Sequence, residues 1–169
     1  MIITRVISSD QLQTVRDLAY AIWPDAYGTI LSEQQLAYML DKIYAIPSLE
    51  KQMESGHVFL LAEEDGVFYG FASYEVNYRN SGKTKLHKIY VLPQTQGKGV
   101  GKTLLAAVEE AVKLNENQAL LLNVNRYNKT IAFYKKNGFE VIAEDKVQPV
   151  PCKFCVLIRF APKGVILVG

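Results

Sequence analysis

Gln96-Gly97-Lys98-Gly99-Val100-Gly101-Lys102 is the stretch whose reading decides the fold. The apolar run Ile89-Tyr90-Val91-Leu92 ends just before it at Pro93, and the amphipathic segment Thr103-Leu104-Leu105 begins just after it. That order predicts a strand, a glycine loop and a helix. Glycines at alternate positions remove Cβ atoms, so the N–H groups of residues 97–102 can converge on a bulky anion at the positive end of the helix. A phosphate or pyrophosphate fits that description. A nucleoside triphosphate loop needs a glycine five residues before Gly101-Lys102-Thr103, where Gln96 stands; a dinucleotide loop needs a third glycine where Lys102 stands. Taken alone, the remaining Gln-x-x-Gly-x-Gly would also serve as a tight connection with no ligand.

A second block, Asn128-Lys129-Thr130-Ile131-Ala132-Phe133-Tyr134-Lys135-Lys136-Asn137-Gly138-Phe139, follows about thirty residues later. Asn128 suits a helix N-cap, and Gly138 suits the left-handed position after a helix end, with Phe139 turning back into the core. Tyr134 near the end of that helix is a packing residue on its own evidence and a chemical one only in company.

The two blocks together, in this order, resemble the coenzyme A site of the GNAT N-acetyltransferase superfamily. The resemblance covers roughly residues 2–143. It implies an α/β (α+β) fold with a central mixed, mostly antiparallel sheet, whose fourth and fifth strands splay apart to admit the pantetheine arm. It also implies acetyl-coenzyme A as cosubstrate, and transfer of its acetyl group to a primary amine by direct attack. The implied cofactor-binding residues are Ile89, Tyr90, Val91, Gln96, Gly97, Lys98, Gly99, Val100, Gly101, Lys102, Asn128 and Tyr134. In that family a backbone N–H near Val91 meets the developing oxyanion, and Tyr134 protonates the departing sulfur as general acid.

The base departs from the family pattern. Many relatives carry a glutamate on the fourth strand, where this chain reads Lys85-Leu86-His87-Lys88. His87, with an ordinary pKa near ~6.5, can relay the proton, and Glu75 on the preceding strand is the other candidate. Asn128 stands six residues before Tyr134 instead of seven, which rotates its side chain by about 100° on a helix. Trp23, Asp25, Tyr27 and Glu33 are candidates for the acceptor pocket. The N-terminal half is faintly similar to bacterial polyamine acetyltransferases, where carboxylates and aromatics receive a cation. Two rival readings are a coenzyme A binding protein without turnover and a non-catalytic interaction domain.

Around the site, hydrophobic periodicity predicts a strand at 2–6, helices at 10–23, 33–43 and 48–54, and a break at Pro24-Asp25-Ala26-Tyr27-Gly28. Ser32-Glu33-Gln34-Gln35 reads as a capping box. Strands at 57–62, 67–76 and 85–92 form an antiparallel meander, and helices at 99–114 and after Asn128 alternate with strands at 119–124 and 139–143.

The 169 residues are 49% hydrophobic, enough to bury one core, so a single domain over 1–169 is expected. A net charge of +2 gives no footprint for nucleic acid. The start lacks a secretory pattern and no apolar run approaches the ~20 residues of a membrane span, so the expected location is cytoplasmic, with no membrane partner. Cys152 and Cys155 are the only cysteines, too few for a zinc knuckle, and no metal is expected. From Val147 to Gly169 there is no acidic residue; Phe154 to Phe160 can serve as a last strand, and Val165 to Val168 is expected to pack on a second subunit, as in a homodimer, or to lack order.

Overall fold

The computed structural model describes residues 1–125, 129–146 and 156–162. The strands are β1 (Ile2–Arg5), β2 (Val58–Glu64), β3 (Val67–Glu75), β4 (Thr84–Val91), β5 (Leu120–Asn125), β6 (Phe139–Lys146) and β7 (Val156–Pro162). Between them run helices α1 (Ser9–Tyr27), α2 (Glu33–Tyr44), α3 (Ile46–Glu54), α4 (Val100–Leu114) and α5 (Ile131–Lys136). The strands form one sheet in the order β1-β2-β3-β4-β5-β7-β6, with β4 and β5 parallel and the other pairs antiparallel. The mixed sheet expected from the resemblance is present, and the last strand is inserted between β5 and β6.

Local chemistry starts the helices. Ser8 with Gln11, and Ser32 with Gln35, form reciprocal capping boxes before α1 and α2. The first is an addition to the sequence reading; the second was expected. Helix α1 runs to Tyr27, past the expected break at Pro24. A proline inside a helix removes one backbone bond, but packing beyond it holds the last turn: the Trp23 and Tyr27 rings lie 4.6 Å apart and the Tyr27 hydroxyl bonds the Tyr90 hydroxyl at 2.8 Å. The turn Asp65-Gly66 (φ 52° and 77°) closes the β2–β3 hairpin.

Each face of the sheet carries its own core. Helix α4 lays Leu104, Leu105 and Val108 against Leu60, Ala62, Ala72 and Leu122. On the other face α1, α2 and α3 bring Leu12, Val15, Leu40 and Leu49 onto Phe59, Leu61 and Phe71. Each fully buried Leu or Val contributes about 1.5–3 kcal/mol relative to exposure. Among the described residues no helix is long and apolar enough to cross a membrane.

Two irregularities position the site. The β4–β5 ladder pairs Thr84, Lys85 and Leu86 with Leu120, Leu121 and Leu122, then stops, although both strands continue. That is the expected splay. Pairing of β3 with β4 slips between Ser73↔Lys88 and Tyr74↔Leu86, leaving His87 as the extra residue of a bulge. Leu86 and Ile89 both pack on the α4 side while Tyr90 packs on the α1 side. The bulge therefore turns His87 and Lys88 together toward the α1–α3 face, where simple alternation would have separated them.

Candidate active site

A cavity of about 670 Å³ fills the parting of β4 and β5. Residues 86–91 of β4 and 122–124 of β5 line it, together with Gln96, Gly97, Gly99, Val100, Gly101 and Lys102 at one end. Trp23, Asp25 and Tyr27 of α1 stand at the other end, and Tyr134 belongs to the same wall. The glycine loop and Tyr134, thirty-odd residues apart in sequence, share one space.

Gly97 and Gly99 have φ of 81° and 83°, a region costly for any side chain. Among the described residues no atom beyond the glycine's chain neighbours lies within 4 Å of a Cβ built on either. At Gly101 a Cβ would meet Phe133 at 3.3 Å and Val91 Cγ2 at 3.6 Å. The Lys98 N–H is occupied by Thr95 O at 3.2 Å, whereas among the described residues no acceptor takes the N–H groups of Gly97, Gly99, Val100, Gly101 or Lys102. Val100, Gly101 and Lys102 form the first turn of α4, where helix geometry orphans the backbone donors. A diphosphate fits such a cradle. Lys98 itself is exposed and does not line the cavity.

Along the slot, Leu92 N–H donates to Tyr69 O on β3, so strand alternation aims the Val91 N–H the opposite way, toward the parting. Ile89 and Val91 line it, and so does Asn123, whose buried Oδ1 has no partner among the described residues. Nothing in the sequence pattern marks Asn123 as functional; its exposure to the slot comes from the end of the ladder one residue earlier. An amide-bearing arm would satisfy both the strand edges and that oxygen.

Tyr134 is 5% exposed, with Phe133 and Phe139 at ring distances of 5.4 and 5.9 Å. Burial pushes its hydroxyl pKa well above the usual tyrosine value, with Tyr27 adding to the shift, so it holds its proton at neutral pH. Helix α5 begins at Ile131 with Thr130 in the cap position, and Gly138 ends it at φ 90°. Asn128 lies outside the described residues, as do Cys152, Cys155 and the run Val165 to Val168.

The end of the slot away from the glycine loop carries a cluster that sequence reading only half identified. His87 Nε2 lies 3.0 Å from Glu75 Oε2, and His57 Nε2 lies 3.7 Å from the same oxygen. Because a carboxylate only accepts, the neutral His87 ring carries its hydrogen on Nε2 and keeps a lone pair on Nδ1. Burial, followed by the charges of Lys88 and Lys85, lowers the His87 pKa to about 3. Burial, then His87 and Lys88, lowers that of His57 to about 4. Both rings are neutral at pH 7. His57 was not expected at the site; it stands just ahead of β2 with Nδ1 3.4 Å from Ser73 Oγ of β3, a placement no short motif reports.

The three donor atoms lie within 4.8 Å of one another. The imidazoles, however, stack face to face with centroids 4.0 Å apart and planes 11° apart. Their lone pairs run parallel instead of converging on a point about 2.0–2.1 Å from each, the distance zinc requires. The arrangement suits a carboxylate against two rings better than a shared cation.

A profile of the acetyltransferase (GNAT) domain matches residues 29–150. This chain belongs to the GNAT acetyltransferase family. It is an acetyl-coenzyme A-dependent N-acetyltransferase, with acetyl-coenzyme A as cosubstrate. Among curated relatives it is 29% identical to the spermidine N(1)-acetyltransferase of Thermoplasma acidophilum, over 81% of this chain and 87% of that one. It is 26% identical to an L-amino acid N-acyltransferase of Escherichia coli, over 73% and 67%. The crystal structure of the PaiA N-acetyltransferase of Thermoplasma acidophilum in complex with coenzyme A superposes with a TM-score of 0.76 at 25% identity, covering 94% of this chain and 98% of that one. The cavity joins the glycine loop to the Trp23–Tyr27 end of α1 through the splay.

Proposed function

We propose that this GNAT enzyme acetylates a primary amine by direct attack, with Tyr134 as general acid and His87 as the proton relay. Acetyl-coenzyme A supplies the activated acyl group. The amides of Gly97, Gly99, Val100, Gly101 and Lys102 hold its diphosphate, and Asn123 with the open edges of β4 and β5 holds its arm, which directs the acyl end toward Tyr134. The Val91 N–H offers a donor to the oxygen that gains charge as the new bond forms.

An ammonium of pKa near ~10.4 has no lone pair, so the acceptor must shed a proton first. His87 Nδ1 is free to take it, while Glu75 at 3.0 Å holds the ring and its Nε2 hydrogen. A ring whose pKa lies at about 3 stores no proton at pH 7, so His87 passes it onward to Glu75 or solvent. Tyr134 holds its own proton until the sulfur leaves, because burial raises its pKa. The observation that carries this reading is that Tyr134, His87 and the unoccupied loop amides open onto one cavity.

Free-thiol release from acetyl-coenzyme A, measured with spermidine, lysine and peptide amino termini, tests it. Release should depend on an amine. Tyr134→Phe should lower kcat by about 100-fold, the usual scale of general acid catalysis, while leaving acetyl-coenzyme A affinity within about twofold. Unchanged kcat removes Tyr134 from the acid role.

A further inference from the structure

Lys88 is the second residue that the β4 bulge turns onto the α1–α3 face, and the chemistry described so far does not use it. Its Nζ donates to Gln52 Oε1 at 2.6 Å and lies 5.5 Å from the centre of the Phe59 ring. Gln52 is fixed in turn, since its Nε2 donates to Ile43 O at 2.9 Å, which leaves its oxygen facing the lysine. An ammonium has three donors. Among the described residues no carboxylate lies within ion-pair distance of this one. A buried cation without a counter-charge opposes folding, and burial accordingly lowers its pKa to about 8, still charged at neutral pH.

Its position indicates why such a charge is kept. Lys88 lines the main cavity and also a side chamber of about 400 Å³, and Trp23, His87 and Tyr90 border both. Lys102, Lys129 and Lys136 also line the main cavity, whereas Asp25, an exposed residue, is the sole carboxylate among its described lining. Glu75 is engaged by the imidazoles. A polyamine would bring further ammonium groups up to Lys88. An amine bearing a carboxylate would bring the missing counter-charge.

Resting on the amine-transfer reading above, we infer that the acceptor is an amino-carboxylate, a free amino acid or a close analogue, whose carboxylate is received by Lys88 Nζ beside the bulge. Anion binding there also removes one of the charges that depress His87, so a correctly charged acceptor makes its own proton relay more basic. Lys88 is in this account a specificity residue that touches substrate.

Matched acceptor pairs that differ by the carboxylate alone test the proposal on the unaltered enzyme: L-lysine against cadaverine, L-ornithine against putrescine, and L-methionine against 3-(methylthio)propylamine, with spermidine alongside. In the thiol-release assay the carboxylated member should show a kcat/KM at least tenfold higher. Lys88→Met should shrink that ratio at least tenfold, leave the KM for acetyl-coenzyme A unchanged and lose no thermal stability; Lys88→Arg should restore part of the ratio. Equal or better turnover of cadaverine, putrescine or spermidine overturns the assignment. A second arm measures calorimetric binding of the same pairs to the coenzyme A-saturated protein. If no amine is turned over but the carboxylated members bind tighter, the transfer reading fails and the anion site stands; if they bind no tighter, the anion site fails whatever the turnover.

Discussion

At the scale of single residues, the site depends on groups whose protonation is set by burial. The neutral pair His57 and His87 gives one consequence for stability. In the unfolded chain both titrate near ~6.5, whereas in the fold they titrate at about 4 and about 3. Between these values the unfolded state binds more protons, so stability falls as pH drops below ~6.5 and the loss levels off below about 3. Thermal unfolding between pH 7.5 and 4.5 should show a falling Tm, and the double variant His57→Gln/His87→Gln should show a shallower fall. Equal slopes would remove the pair as the cause. Tyr134 and His87 were named from the sequence because one belongs to a motif and the other stands near a recognised strand position, and both line the cavity. His57, Lys88 and Asn123 were not named, since their placement comes from tertiary packing, a bulge and the end of a ladder, none of which has a local residue signature.

At the scale of elements, the proposed cofactor site depends on the loop from Pro93 to helix α4. Its glycines answer two different demands. Gly99 is the cap of α4 at φ 83°, where an alanine costs about 1–2 kcal/mol in backbone strain. Gly101 is packed under Phe133 and Val91, and a methyl there meets the Phe133 ring at 3.3 Å, so the ring of α5 must give by a few tenths of an ångström at the edge of the cradle. Gly101→Ala should therefore weaken acetyl-coenzyme A binding at least tenfold by calorimetry, and lower Tm by a few degrees on the scale of about 2–4 °C per kcal/mol. Full affinity in this variant would show that the cradle tolerates displacement of the Phe133 ring and is not built to fit. The strand, loop and helix order was readable here because three glycines and two apolar flanks are local features. The run of α1 past Pro24 was not, because it is decided by contacts of Trp23 and Tyr27 with Tyr90, far away in sequence.

At the scale of the whole molecule, one mixed sheet with a core on each face holds the two ends of the cavity in register. Helix α4 and its core anchor the cradle. Helices α1 to α3, with the second core, hold the other end, where the proposed acceptor would enter. The parting of β4 and β5 connects them. Element types and their order were legible from periodicity and turn chemistry. The insertion of β7 between β5 and β6 was not, because register between distant strands leaves no mark in either strand alone. The account as a whole rests on the diphosphate being clasped by amides that the fold leaves without partners. Isothermal titration of the protein with acetyl-coenzyme A and, separately, with S-acetylpantetheine, which lacks the diphosphate and nucleotide, measures that most directly. Acetyl-coenzyme A should bind at least 100-fold tighter, by about 2.7 kcal/mol; comparable affinity for the two would show that these amides do not hold the diphosphate.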